Sequence, residues 1–133
     1  MRNRTRLLLA LPLLLAIACG SAQAQLTKYN FDRATSAMLS SNSRAAKVSQ
    51  VHDVPSVTVI RLRQRVVYGY EDDVNVPSIE ISAQKNAAGI ARVRSALRSN
   101  PATRAALAAT GVPIGRIVAV DVFSNGALRV YIL

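Results

Sequence analysis

Cysteine, histidine and tryptophan are nearly missing from this 133-residue chain, which has one Cys, one His and no Trp. One imidazole and one thiol cannot make the usual structural zinc sets, which need three or four such ligands. Cys19 has no second cysteine to pair with, so no intrachain disulfide can hold the fold together. Aromatic residues make up 5% of the chain, too few for a platform that stacks on single-stranded bases. Gly111 and Gly115 are not followed by the Lys-Ser/Thr pair of a P-loop, so a phosphate cradle of that kind is excluded. No apolar run reaches the roughly 20 residues that a membrane-crossing helix needs, so no stable transmembrane span is expected.

The first residues carry the strongest signal that is present. Arg2, Arg4 and Arg6 precede an apolar run from Leu7 to Ile17, and Ala22-Gln23-Ala24 supplies small residues before a cut. Residues 1–24 therefore read as a secretory signal peptide, cleaved between Ala24 and Gln25. The product is expected to be secreted or periplasmic and free of cysteine, which removes thiol chemistry. A rival reading rests on Leu15-Ala16-Ile17-Ala18-Cys19, which resembles a bacterial lipobox and implies a lipoprotein anchored through Cys19. Ala16 stands where such motifs usually carry Leu, and Ala22-Gln23-Ala24 is the cleaner cleavage site.

Charge is one-sided. The chain has 17 Lys and Arg against seven Asp and Glu, a formal +10. Three of the cations and none of the acids lie before the cut, leaving 14 against seven, or +7, on the 109 residues that follow. A length near 100 residues suits one domain with a modest core. The positive balance favours encounter with polyanions such as acidic headgroups, surface polysaccharides or nucleic acid.

Residues 25–53 read as an N-terminal arm or helix, and 54–133 as an α+β globular domain. Asn30 is placed to cap a helix whose stripe is Phe31, Ala34 and Met38, with Ser40-Ser41-Asn42-Ser43 interrupting it. From Val57 to Tyr68, β-branched residues alternate with arginines and predict a strand. A polar turn at Gly69 to Asp73 and a weaker strand from Val74 to Ser82 complete a first hairpin. Pro77 cannot donate to a ladder, which confines that second strand to an edge.

Ala83 to Ser99 carries Ile90, Val93 and Leu97 on one helical stripe. Asn100-Pro101 marks the start of a further helix, with Asn as cap and Pro at the first turn, and Gly111 ends it. Ile114 to Phe123 and Leu128 to Leu133 predict a second hairpin about a two-residue Asn125-Gly126 turn. That turn pairs Phe123 with Leu128, Asp121 with Val130 and Val120 with Tyr131. Both faces of the hairpin are apolar and both should be at least partly covered. The sum is an α+β fold: a small antiparallel or mixed four-stranded sheet from two hairpins, with two to three helices packed on one side.

Catalytic signals are sparse. His52 and Asp53 are sequence neighbours, and adjacent side chains seldom face each other as a base and its orienter must. Glu71-Asp72-Asp73, with Asn75, lacks the spaced acids and central glycine of a calcium loop and reads as a solvated turn. Asp121 is the odd residue in an apolar strand; it is expected to pair with an arginine such as Arg116 or to sit exposed at an edge. These patterns predict no enzyme, no cofactor and no metal.

Arg61, Arg63 and Arg65, two residues apart, would stack three guanidinium groups on one sheet face. Such a row is tolerable only when solvated or neutralised, and arginine's planar fork suits phosphate or carboxylate. With Arg92 and Arg98 they are the candidate binding residues. The sequence thus predicts a small exported binding protein, non-enzymatic, that contacts an anionic polymer or an acidic protein partner. The alternative is a cell-envelope structural or assembly factor working by strand addition or homodimerisation at the hairpin edge near Leu133. A small enzyme ranks third.

Overall fold

The computed structural model describes residues 29–62 and 76–133. Among them are five α-helices and a three-stranded mixed sheet, an α+β arrangement. Helix α1 covers residues 29–39. Then come α2 Ser41–Ser49, β1 Val57–Arg61, α3 Val76–Lys85, α4 Ala87–Ser99 and α5 Pro101–Thr110. A 3-10 turn at Ile114–Arg116 leads into β2 Ile117–Val122 and β3 Leu128–Ile132. The signal peptide with Cys19, Ala24 and Gln25, and the acidic turn at 71–73, lie outside the described residues.

The N-terminal segment is helical. The expected stripe of Phe31, Ala34 and Met38 is buried, and Ala37 joins it. Residue 29 is already in helix, so Asn30 lies within α1 instead of capping it. The serine cluster bends the chain without ending the helix: Ser40 alone separates α1 from α2, and the amide of Arg44 donates to the Ser40 carbonyl at 3.0 Å.

The first hairpin is not formed. Residues 76–85 are helix α3, although Ile79 and Ile81 alternate as in a strand. Burial explains the outcome. Ile79 is 2% exposed and Ala83 packs against the same cluster, whereas Ile81 is 50% exposed. The pair that meets the core is therefore i and i+4, a helical spacing. Pro77 sits in the first turn, where a missing N–H has no helical acceptor to lose.

Without that partner, β1 pairs parallel with β3, Val57 opposite Leu128 and Arg61 opposite Ile132. Parallel neighbours need a long crossover, here α3, α4, α5 and β2. Among the described residues the sheet order is β1-β3-β2, three strands where four were expected. The C-terminal strand is central, with both of its edges occupied.

The second hairpin forms with a longer turn than expected. The amide of Gly126 donates to the Phe123 carbonyl at 3.0 Å, and the amide of Phe123 to the Ala127 carbonyl at 3.0 Å. This is a three-residue loop, Ser124-Asn125-Gly126, with Gly126 at φ 87°. The extra loop residue moves the register by one. Asp121 faces Arg129, Val120 faces Val130 and Val122 faces Leu128. A bulge between Ile117 and Ala119 then turns Val118 and Ala119 to the same side of the sheet.

Both faces of the sheet are covered by helices, not one. Tyr131, Val118 and Ala119 pack with α1, Ile79 of α3 and Ile90 of α4. Leu128, Val130, Ile132 and Val120 pack with Val48 of α2, Val93 and Leu97 of α4 and Leu107 of α5. Alternation along β3 puts Tyr131 on one face and its neighbours on the other. Buried apolar strands on two sides require this double cover.

The α4–α5 corner follows the expected chemistry. Oδ1 of Asn100 accepts from the amides of Ala102 and Thr103, and Pro101 occupies the first position of the helix. Its Nδ2 reaches back to the carbonyls of Val48 and Val51, both at 2.8 Å, which ties α2 to the corner. Gly111 ends α5 in the left-handed conformation, φ 71°.

Candidate anion-contacting surface

The sheet fixes one ionic cluster around Asp121. Its carboxylate is buried, and its partners come from α1, α2 and β3. Tyr131 donates its hydroxyl to Oδ2 at 2.9 Å, Arg33 stands 3.5 Å from Oδ2, and Arg44 stands 3.2 Å from Oδ1. Arg116, the partner expected from the sequence, instead donates through Nε and Nη2 to the Leu133 carbonyl. Register explains the change: Asp121 points to the face that α1 covers, whereas Arg116 precedes β2 at its far end.

Burial, and then the hydrogen bond to Asp121, hold the Tyr131 phenol above its ordinary range. The Tyr131 hydrogen bond and the Asp121 charge together raise the Arg33 guanidinium. All donors belong to the fold itself, so this cluster's evident role is to fasten α1 and α2 to the sheet.

The candidate binding arginines do not gather in one place. Arg61 is exposed at the end of β1; its face carries Val57 and Val59, which pack into the core. Arg63 and Arg65 lie outside the described residues. Arg92 and Arg98 are both exposed on α4, but six residues apart on a helix they point about 120° from each other.

Each exposed α4 arginine has cationic company instead. Arg98 lies near Arg94, whose guanidinium is lowered by burial first and by the Arg98 charge second. Nε of Arg94 donates to the Ile117 carbonyl at 2.8 Å, and Nη1 of Arg104 to the Arg98 carbonyl at 3.4 Å. Three arginines thus crowd the α4–α5 corner. Arg92 faces the other way, towards Asn42 of α2 and Lys85. These clusters were not legible in the sequence, because Arg104 and Lys85 meet the α4 arginines only through the bends at Asn100 and Asn86.

Among the described residues, eleven Lys and Arg stand against Asp32, Asp53, Glu80 and Asp121. Arg33 and Arg44 both pair with Asp121. No group of three or more His, Cys, Asp or Glu side chains that could hold a metal is assembled among the described residues. Likewise, no described helix is long and apolar enough to cross a membrane.

No protein family, curated protein or solved structure matches this chain.

Proposed function

We propose that this chain is a small exported, non-enzymatic binding protein whose basic surface contacts an anionic macromolecule. The supporting observation is the imbalance just described. Asp121 is buried and taken by Arg33 and Arg44, while Arg92, Arg98 and Arg104 face solvent beside other cations. Like charges held together in water repel, and a polyanion relieves that repulsion while releasing its own counterions. Arginine's fork suits phosphate or sulfate oxygens bidentately.

Binding to polyphosphate should weaken steeply as salt rises, and the salt slope should fall by roughly one for each phosphate contact removed. Arg92→Gln, Arg98→Gln and Arg104→Gln, together and singly, test this. Binding indifferent both to salt and to all three changes would sink the electrostatic reading.

Export belongs to the same proposal. The intact mass of protein recovered from outside the cytoplasm should correspond to a chain starting at Gln25. A mass fitting an acylated Cys19 would instead make it a lipoprotein.

A further inference from the structure

The two bent helix pairs meet at their bends. Ser40, between α1 and α2, has φ −101° and ψ 25°; Asn86, between α3 and α4, has φ −106° and ψ 19°. Both are near-helical conformations that deflect the chain without ending the helix. Gly89 allows the contact: a Cβ there would stand 2.7 Å from Cβ of Ser41, closer than two carbons can approach.

Beside this crossing is an open depression of about 170 Å³, bordered by Asn42, Lys85, Asn86 and Arg92, with Leu39 at its rim. No acidic side chain lines it among the described residues. Nη1 of Arg92 donates to Oδ1 of Asn42 at 2.6 Å, which orients the guanidinium and leaves Nε and Nη2 as donors. Lys85 adds an ammonium from the last turn of α3. Asn42 keeps its amide hydrogens, and Asn86 keeps one after donating the other to the Ser82 carbonyl at 2.8 Å.

We propose that this depression seats a tetrahedral oxyanion, a phosphate or sulfate group, between Lys85 and Arg92. The inference rests on the reading that the surface takes anions, and it locates one anionic group. Two cations and two amides border it from α2, from the end of α3, from the Asn86 bend and from α4, so a group seated there is reached from more than one side. That spread suits the three or four oxygens of a tetrahedral group better than the two of a carboxylate. One donor pair is already oriented, so less side-chain freedom is lost on binding. Leu39, 74% exposed on the rim, separates two sources of the same chemistry: a lipid phosphate would bring apolar chains against it, and a free phosphate would leave it in water.

The test is a titration of the isotopically labelled full chain with inorganic phosphate, followed by amide NMR. Saturable shifts at Asn42, Asn86 and Gly89 are expected. They should be lost in the Lys85→Gln/Arg92→Gln double variant and kept in Arg98→Gln, with unchanged circular dichroism for both. A second arm uses phosphatidylglycerol and phosphatidylcholine vesicles with wild type and Leu39→Ser. Preference for the anionic vesicles that is weakened by Leu39→Ser assigns the group to a lipid. Phosphate shifts without vesicle binding assign it to a soluble ligand, and either result supports the site. Shifts that are absent, that persist in the double variant, or that centre on Arg94 and Arg104 overturn it. Salt-sensitive polyphosphate binding that survives in the double variant, without shifts at the depression, would reject this site alone and leave the broader reading standing.

Discussion

Tyr131 donates its hydroxyl to Oδ2 of Asp121 across the β2–β3 ladder, 2.9 Å away on the face that α1 covers. The two residues are not directly opposite; Tyr131 faces Ala119 and Asp121 faces Arg129, so the bond runs diagonally. Diagonal neighbours on one face are within reach of an aromatic side chain. A small residue at 119 leaves the tyrosine room to lean. Tyr131→Phe should keep the packing and remove one donor from a buried carboxylate. The expected loss is about 1–3 kcal/mol, read from urea unfolding with an unchanged m-value.

The same pair sets an alkaline limit. The phenol's pKa is raised in the folded chain, so its neutral form is the one that folding favours. Its contribution is complete below the ordinary tyrosine value near pH 10 and is lost as pH climbs through the higher folded value. Unfolding free energy measured from pH 8 to 11 should therefore fall more steeply for wild type than for Tyr131→Phe. Parallel curves would show that the phenol is not the group responsible.

Gly89→Ala should be strongly destabilising, because its Cβ would collide with Cβ of Ser41. Overpacking of this kind typically costs about 1–3 kcal/mol. Ser41→Ala would not relieve it, since the offending Cβ remains. Ser41→Gly in the Gly89→Ala background should recover part of the loss, and a double-mutant cycle measures that coupling.

Asn100 works from both ends of its amide. Asn100→Ala removes the α5 cap and leaves the Val48 and Val51 carbonyls without their donor. A loss of about 2–3 kcal/mol is expected from the cap and the orphaned acceptors together. Asn100→Asp keeps the cap but sets a carboxylate oxygen against those two carbonyls. If Asp restores wild-type stability in thermal unfolding, the backward hydrogen bonds contribute little.

Gly126 is required twice, by its φ of 87° and by the Asp53 carbonyl oxygen, with which an added Cβ would collide. Gly126→Ala should lose more than the roughly 1–2 kcal/mol of a left-handed alanine alone. Chemical denaturation decides it: a smaller loss would mean that the Asp53 segment yields easily.

Residues whose roles are local were readable without the fold. Asn100, Pro101 and Gly111 delimit α5 because capping, proline's missing donor and a left-handed stop act within a few residues. Ile90, Val93 and Leu97 mark the buried face of α4 because helical periodicity survives whatever packs against it. The paired arginine sites were not readable, since Arg92 gains Asn42 and Arg44 gains Asp121 across 50 and 77 positions of chain.

The amino-acid order alone settled the end of α4, the span of α5, the existence of the C-terminal hairpin and the excess of positive charge, all consequences of short-range sterics, capping and composition; the helix expected from Ala83 instead breaks at Asn86, and α4 starts at Ala87. Tertiary packing decided the rest. It made α3 from residues that alternate like a strand, because Ile79 and Ala83, four positions apart, reach the core together. It gave β1 a parallel partner in β3, and it gave Asp121 two arginines from helices far away in sequence. Those outcomes depend on which surfaces are buried together, and long-range burial is the one quantity that no local pattern of residues carries.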